Sequence, residues 1–387
     1  MKSRKLNKTQ LPKQYNISYI NDGLPRPTWQ QALRHYVSAV FVYGAALFFI
    51  TFSPYFRNLL SVRFYGWTAI KIYWYIYAGY LLLLAPVCFI IRPRSLWIST
   101  PVRVSGYLGR VVRMIINPSQ RKSDDSWRPS HVETHAIVFV LIKTFYGPLT
   151  VFGIIENYNL AMPLIESLGH RISRVEFFDK IYRLFYAFVF FTEAAIYAIG
   201  YHTDSKLFGN KLRYVETNPF HIFVCLACYA PFSLATMQFL GASFQDPYIL
   251  WAGNINHPMT WVLRGLGVIF LIGFLSSAAA LFTKASNLSN RGIVTGGGFR
   301  IVRHPGYSSK IFFWILTFIP GFIPNTAARM FTWKGYIVYC FVTVLGFLGW
   351  ATLYFLRGIT EERLLMRDPE YVEYCKKVKY HFIPFIY

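Results

Sequence analysis

Long apolar segments alternate with short polar segments through most of the chain. Windows of about 20 residues identify segments that are apolar enough to cross a membrane as helices. These eight segments lie near 37–53, 72–91, 136–155, 184–201, 219–240, 260–282, 308–323 and 335–356. Because only helices and closed barrels satisfy backbone hydrogen bonds in lipid, the pattern predicts an all-α polytopic membrane helix bundle with about eight transmembrane helices.

One polar segment, residues 92–135, contains a different pattern. Its stretch VRVSGYLGRVVRMII, residues 102–116, combines apolar and basic side chains with a helical period. A basic amphipathic helix of this kind lies on a membrane surface rather than across the membrane. Turn-forming residues then dominate NPSQRKSDDSWRPS, residues 117–130, where we expect the helix to be interrupted.

Composition and charge agree with insertion into a membrane. Of the 387 residues, 54% are hydrophobic and only 15% are charged, which is too apolar for a soluble globule. The net charge of +23 is unevenly distributed, because 28 of the 40 Lys and Arg residues fall in the alternate segments that include both termini and 9 fall in the others. This bias predicts that both termini are cytoplasmic. We therefore expect membrane lipids, and no nucleic acid, as partners.

The cysteines and the usual soluble-enzyme motifs indicate no metal site. Cys225 and Cys228 form a C-x-x-C inside an apolar segment, but no second ligand pair lies nearby in the sequence. We interpret them as small packing residues. The chain also has no H-E-x-x-H motif and no G-x-G-x-x-G motif after a strand, so neither a metal nor a Rossmann site is predicted.

One acidic residue, Glu193, lies deep in the fourth apolar segment. An ionisable side chain is expensive at that depth, so it requires an explanation. Glu193 either belongs to a polar site or proton relay, or makes a structural hydrogen bond to a neighbouring helix. Lys143, Arg264 and Lys310 lie nearer the ends of their segments, where long basic side chains can extend to the interface.

The stretch IVTGGGFRIVRHPGYSSK, residues 293–310, leads into the seventh apolar segment. Its glycines allow the backbone to turn tightly and approach a ligand. Pro305 disfavours a helical conformation at His304 and suits the first turn of a helix, whose free N–H groups attract anions. With Arg300 and Arg303 alongside, the stretch suits an anionic or carboxylate-bearing ligand. The alternative is a basic turn that anchors the helix to lipid headgroups.

A second polar stretch follows the last apolar segment. In YFLRGITEERLLMRDPEYVEYCKKVKYHFIPF, residues 354–385, Arg357 and Glu361 are four residues apart and share a helix face. Glu362 adds a second carboxylate, and the predicted topology puts both stretches at the same membrane surface. Together they could bind a zwitterion. The alternative is an ordinary interfacial ion pair.

These motifs, in this order, resemble the isoprenylcysteine carboxyl methyltransferase family, to which phospholipid N-methyltransferases are related. The resemblance rests on IVTGGGFRIVRHPGY, TEERLL and EYVEYCKKVKYHFIPF and covers about a hundred residues from Lys284 onward. It divides the chain into an N-terminal membrane region, 1–283, and a methyltransferase-like core, 284–387. The upstream stretch GNKLRYVETNPFHIFVCLACYAPF, residues 209–232, is similar to a segment of bacterial membrane proteins that carry the same domain.

The resemblance implies an enzyme with S-adenosyl-L-methionine as cofactor, acting on a lipidic small molecule or lipidated substrate. Its active site would face the cytoplasm from a bacterial inner membrane or the endoplasmic reticulum. Glu361 would hold the cofactor's ammonium group and Arg357 would orient an acceptor carboxylate. By position, the cofactor contacts would be Arg291, Ile293, Val294, Gly297, Phe299, Arg303, His304, Pro305, Gly306, Tyr307, Glu361 and Glu362. Arg291 and the third glycine, Gly298, depart from the family pattern.

The acceptor chemistry and two other functions remain open at this point. A carboxylate acceptor needs no general base, whereas an amine acceptor needs one, for which His304 or Glu362 are candidates. An NADPH-dependent sterol or isoprenoid reductase can show a similar C-terminal ending. A transporter would line a path with Glu193 and Arg264.

Overall fold

The computed structural model describes residues 26–93, 99–117, 127–204, 209–233, 247–322 and 332–386. Within these ranges the chain is an all-α, polytopic helical membrane protein, as the apolar pattern predicts. Six of the described helices are long and apolar enough to cross a membrane. They are Trp29–Phe52, Ala69–Ile91, His131–Ser167, Arg174–His202, Pro258–Lys284 and Trp333–Leu365.

The α-helices of the described residues are, in chain order, α1 Trp29–Phe52, α2 Pro54–Leu59, α3 Ala69–Pro86, α4 Thr100–Ile116, α5 His131–Ser167, α6 Arg174–His202, α7 Pro219–Ala227, α8 Pro258–Leu281, α9 Pro305–Phe318, α10 Trp333–Leu365 and α11 Pro369–Lys377. A π-helical turn, Val87–Ile91, extends α3. Single 3-10 turns lie at Trp251–Gly253, Phe282–Lys284, Gly297–Arg300 and Ile319–Phe322.

In the described part of the chain, four two-residue strands form two antiparallel pairs. Strand β1, Arg63–Phe64, pairs with β2, Trp67–Thr68, beside the start of α3. Strand β3, Tyr214–Val215, pairs with β4, Ser289–Asn290. The second pair fixes the segment before α7 against the segment after α8.

The predicted fifth and seventh spans differ from the others in the structure. Residues 219–240 were expected to form one transmembrane helix, but α7 ends at Ala227, and the last part of that range lies outside the described residues. Pro231 has no N–H to continue the helical hydrogen bonds, which explains the break. In the seventh range, α9 has 14 residues before its 3-10 extension.

Helices α6 and α8 run parallel, and contacts at both ends show this. Near their starts, the Arg264 guanidinium lies 2.7 Å from Oδ1 of Asp179. Near their ends, Gly200 packs directly against the backbone of Ala285. Because both helices run the same way, the chain between His202 and Pro258 must connect opposite ends of the bundle.

Gly200 offers a test of this packing. A Cβ at this position would overlap the carbonyl group of Ala285, whereas a Cβ at Gly265 on α8 would meet nothing within 4 Å. We expect Gly200→Ala to lower the free energy of unfolding by about 1–3 kcal/mol, because the helix ends must separate. Gly265→Ala is the matched control and should be neutral or slightly stabilising. Thermal unfolding of the two purified variants checks the expectation, and equal midpoints would contradict it.

The predicted amphipathic stretch is indeed a helix, α4, which packs against α1 and α5. Arg110 donates to both carboxylate oxygens of Glu133 on α5, at 2.9 and 2.8 Å. Val112, Ile115 and Ile116 are exposed. Its basic and apolar sides therefore remain suited to a membrane surface. Part of the turn-rich stretch that follows, residues 118–126, lies outside the described residues.

Candidate functional site

The C-terminal tail holds the Gly-Arg-His turn in place. The backbone N–H groups of Arg303 and His304 donate to the carbonyl groups of Tyr380 and His381, both at 2.9 Å. The His304 ring stacks on Phe382 with a centroid separation of 5.0 Å. His304 thus lies immediately before α9, whose first residue is Pro305. Two segments about 80 residues apart therefore build one turn.

Glu362 is the centre of a buried charge network. Its Oε1 atom lies 3.0 Å from Nε2 of His304 and 2.8 Å from Nδ1 of His381. Its Oε2 atom accepts from Arg303 at 3.2 Å. Burial lowers the pKa of His381, and the Glu362 carboxylate opposes that shift. The two sequence motifs meet through Glu362, which holds the turn against α10.

Glu361, one residue earlier, points elsewhere. Adjacent helical residues are separated by about 100° around the helix axis, so two neighbouring carboxylates can serve different surroundings. The Tyr307 hydroxyl donates to Oε2 of Glu361 at 2.5 Å. Glu361 is half-buried and lines a cavity, whereas Glu362 does not line it.

Arg357 is buried one helical turn before Glu361. Its Nη2 atom donates to the Tyr229 hydroxyl at 2.9 Å and to Oδ1 of Asn287 at 2.6 Å. Its guanidinium lies 4.8 Å from the ring centroid of Tyr307. Among the described residues, no carboxylate lies within ion-pair distance of it. A buried guanidinium with only neutral partners retains the capacity to bind an anion.

These side chains surround a cavity with polar and aromatic walls, the kind of concave site that binds small molecules and cofactors. It lies between α6, α8, α9, α10 and the polar loop that follows α8. The predicted site residues that line it are Arg291, Ile293, Val294, Phe299, Arg303, His304, Pro305, Gly306, Tyr307, Arg357 and Glu361. The predicted contacts Gly297 and Glu362 lie outside its walls.

Gly297 has a conformational role instead. Its φ of +58° is in the left-handed region that favours glycine, and it begins the 3-10 turn Gly297–Arg300. A Cβ there would lie 3.3 Å from Cβ of Ala280 on α8. Gly297 therefore lets the turn pack closely against the helix beside the cavity.

Arg291 has a structural role through its Nη1 atom, whereas its other guanidinium N–H groups make no hydrogen bond within the described residues. Its Nη1 atom donates to the carbonyl groups of Thr203 and Asn210 at 2.8 and 3.0 Å, which ties the loop after α6 to the cavity wall. Its Nε and Nη2 atoms are buried without a hydrogen-bond partner in the described part of the chain, and the guanidinium lies 5.3 Å from the ring centroid of Phe139. Burial also lowers the pKa of Arg291. Two unpartnered N–H donors beside a cavity are a binding feature for an anionic or carbonyl oxygen.

The sequence left open whether Glu193 belongs to a polar site or makes a structural hydrogen bond to a neighbouring helix. Glu193 lies 3.5 Å from Nζ of Lys310, and both side chains line the cavity. Glu193 therefore belongs to the polar wall of this site, whereas Arg264 does not line it. The lining residues that sequence reasoning missed include Tyr197, Tyr229, Lys284, Asn287, Tyr354, Tyr371 and Tyr374. No local motif marks them, because helix packing and the β3–β4 pair bring them to the cavity.

The cavity is electropositive and aromatic. Its charged lining residues are five basic ones, Lys284, Arg291, Arg303, Lys310 and Arg357, and two acidic ones, Glu193 and Glu361. Burial raises the pKa of Tyr371 and Tyr374, so both phenols stay protonated at neutral pH. The Tyr371 hydroxyl is buried close to the Cys375 thiol. This wall can donate hydrogen bonds to a ligand with anionic and heteroaromatic parts.

No metal site accompanies the cavity in the part of the chain that the structure describes, where no group of three or more His, Cys, Asp or Glu side chains could hold an ion. Compared with models of protein families, with curated proteins and with solved structures, the chain matches none of them. The function must therefore be argued from the chemistry of the cavity and from the motif resemblance.

Proposed function

We propose that this chain is an integral membrane methyltransferase that uses S-adenosyl-L-methionine to methylate a lipidic acceptor. One observation carries the proposal: the Gly-Arg-His turn and the Arg-x-x-x-Glu segment, which are more than 50 residues apart, line one cavity. Tyr307 and Glu361 are in hydrogen-bond contact there, and His304 lies on the same wall. The methyltransferase resemblance requires this juxtaposition.

The groups that line the cavity fit this cofactor. Glu361 offers a carboxylate for the cofactor's ammonium group, and the free N–H groups of Arg291 suit its carboxylate or ribose oxygens. Ile293, Val294 and Phe299 supply an apolar surface for a heteroaromatic base. The rings of Tyr307 and Tyr354 can face a sulfonium as cation–π partners. Glu362 would support the site indirectly by fixing His304.

When bound, S-adenosyl-L-methionine supplies an electrophilic methyl group. The work of the protein is then alignment and exclusion of water, which together can contribute much of the rate. Arg357 would hold an anionic group of the acceptor, since it is buried and has no carboxylate partner among the described residues. Tyr229 and Asn287 would fix the orientation of its guanidinium.

We propose eight membrane passes with both termini in the cytoplasm. Six passes are the long helices. The parallel arrangement of α6 and α8 calls for a further pass between them. Helix α9 supplies the eighth, because its start meets the end of α10 and its 3-10 extension contacts Trp251–Gly253, near the start of α8. Under this topology the cofactor enters the cavity from the cytoplasm, and the acceptor's apolar tail enters from the bilayer.

The methyltransferase function can be tested by incubating the purified protein with methyl-labelled S-adenosyl-L-methionine and a total membrane extract. The proposal expects enzyme-dependent label in a lipid or lipidated product, suppressed by excess S-adenosylhomocysteine. Saturable NADPH binding without methyl transfer would instead favour the reductase. Solute flux in proteoliposomes without cofactor binding would favour a transporter, and either result would refute the methyltransferase.

Arg357→Lys should separate acceptor binding from cofactor binding. Lysine keeps the charge but loses the planar fork that contacts Tyr229 and Asn287. A hydrogen bond to a charged group contributes about 1.5–3 kcal/mol, so kcat/KM for the acceptor should fall on the order of 10- to 100-fold. The dissociation constant of S-adenosyl-L-methionine should change little. Arg363→Lys, an exposed position on the same helix, is the control, and equal kinetics of both variants would contradict the assignment.

A further inference from the structure

A smaller space adjoins the cavity behind Arg357. Its wall includes Asn287, Tyr307, Arg357 and Glu361, which the main cavity shares. Its remaining wall comes partly from α7, through His221 and Cys225. A group bound beside Arg357 would therefore be next to both the main cavity and α7.

The smaller space, which we call the side compartment, contains a buried Glu–His pair as its polar feature. Glu216 is 1% exposed, and its Oε2 atom lies 2.8 Å from Nδ1 of His221. Its Oε1 atom accepts the backbone N–H groups of Thr217 and Asn218, both at 2.9 Å. These contacts fix the carboxylate against the imidazole, as an orienting group does in a hydrolase triad.

This contact determines the tautomer of the neutral ring. An ionised carboxylate only accepts hydrogen bonds, so Nδ1 of His221 carries the proton that it donates to Glu216. In the neutral ring, the Nε2 atom then carries a lone pair. Among the described residues, none makes a hydrogen bond to Nε2, although His221 lines the compartment. An oriented imidazole with a free lone pair beside a binding space is the arrangement of a general base.

We propose that His221 is a catalytic base that removes a proton from the methyl acceptor, and that the acceptor is an amine or a hydroxyl of a lipid headgroup rather than a carboxylate. This inference rests on the proposed methyltransferase function. Arg357, in the same compartment, holds an anionic group of that headgroup. The base is thus neither of the residues expected from the sequence, since His304 and Glu362 are bonded to each other.

The chemistry balances with these groups alone. The acceptor heteroatom gives its lone pair to the methyl carbon, and the carbon–sulfur bond breaks with its electrons kept on sulfur. The heteroatom loses one proton, which His221 Nε2 takes while Nδ1 stays bonded to Glu216. The products are the methylated acceptor, a neutral thioether and an imidazolium stabilised by Glu216. A carboxylate acceptor has no proton to lose and would leave His221 without a role.

The matched test replaces His221 by Asn in the full chain, with exposed His170→Asn as control. Asparagine can still donate to Glu216, so a merely structural role survives, but it has no basic nitrogen. With methyl-labelled S-adenosyl-L-methionine and a total membrane lipid extract, we expect transfer to fall roughly 10²- to 10⁴-fold. The separately measured affinity for S-adenosyl-L-methionine should remain that of wild type. The product label should resist mild alkali, which hydrolyses methyl esters but not methylamines or methyl ethers.

A second measurement does not depend on turnover. Diethyl pyrocarbonate acylates an unprotonated imidazole nitrogen, and mass spectrometry locates the modified residue. We expect His221 to be modified in wild type and to react more slowly in Glu216→Gln. An unreactive His221, an unchanged rate in Glu216→Gln, or an alkali-labile methyl ester would overturn the base assignment. Failure to bind S-adenosyl-L-methionine would instead overturn the proposed function.

Discussion

Replacing Glu361 by glutamine should weaken the binding of S-adenosyl-L-methionine about 30-fold without loss of the fold. Glu361 lines the cavity, and among the described residues its side chain has a hydrogen bond with Tyr307 alone. Glutamine can still accept that bond but cannot pair with an ammonium group. Loss of one charge-assisted hydrogen bond costs about 2 kcal/mol, which corresponds to the expected change in affinity. Isothermal titration of the purified variant measures it.

The melting temperature of Glu361→Gln provides the control. Because the side chain has no structural ion pair within the described residues, the midpoint should stay close to that of wild type. Unchanged affinity would show that the ammonium group is held elsewhere. A large loss of stability would show that Glu361 belongs to the framework and not to the binding surface.

Replacing its neighbour Glu362 by glutamine should have the opposite outcome. Glu362 is buried and holds Arg303, His304 and His381 together. Removal of one partner from a buried ion network leaves uncompensated charge and costs about 3–5 kcal/mol. The free energy of unfolding should therefore fall by about 3 kcal/mol, and the turn before α9 should loosen.

Buried cysteines of the protein can report the unfolding of Glu362→Gln. Cys88, Cys225 and Cys228 are buried, so a thiol-reactive dye reports unfolding during a thermal ramp. Glu373→Gln is a suitable control, because its exposed ion pair with Lys376 contributes little. If Glu362→Gln and Glu373→Gln unfold at the same temperature, the Glu362 network does not stabilise the site.

The long helices could be predicted because lipid leaves an apolar segment few alternatives to a helix. Their ends extend beyond the apolar windows. The fourth predicted span begins at 184, but α6 begins at Arg174, where Ser173 and Glu176 form a capping box. That signal, S-x-x-E, was readable in the sequence. The break after α7 was harder to predict, since a proline inside a membrane helix can also produce only a kink.

The parts of the site that could be predicted are those whose residues lie close together in the sequence. The turn at 296–305 and the Arg357/Glu361 spacing both identified residues that line one cavity. The different roles of Glu361 and Glu362 could not be predicted, because they depend on which neighbour packs against each side of α10. The Glu216–His221 pair is also local, but its relevance depends on α7 packing beside Arg357, which no sequence period encodes.

The central claim is that the cavity beside α9 and α10 binds S-adenosyl-L-methionine. Its most direct test is to photocrosslink labelled S-adenosyl-L-methionine to the purified full-length protein and to map the labelled peptides. The account predicts label within residues 291–307 or 354–374, and competition by S-adenosylhomocysteine but not by NADPH. Label confined to α1–α5, competition by NADPH instead, or no saturable labelling would contradict it.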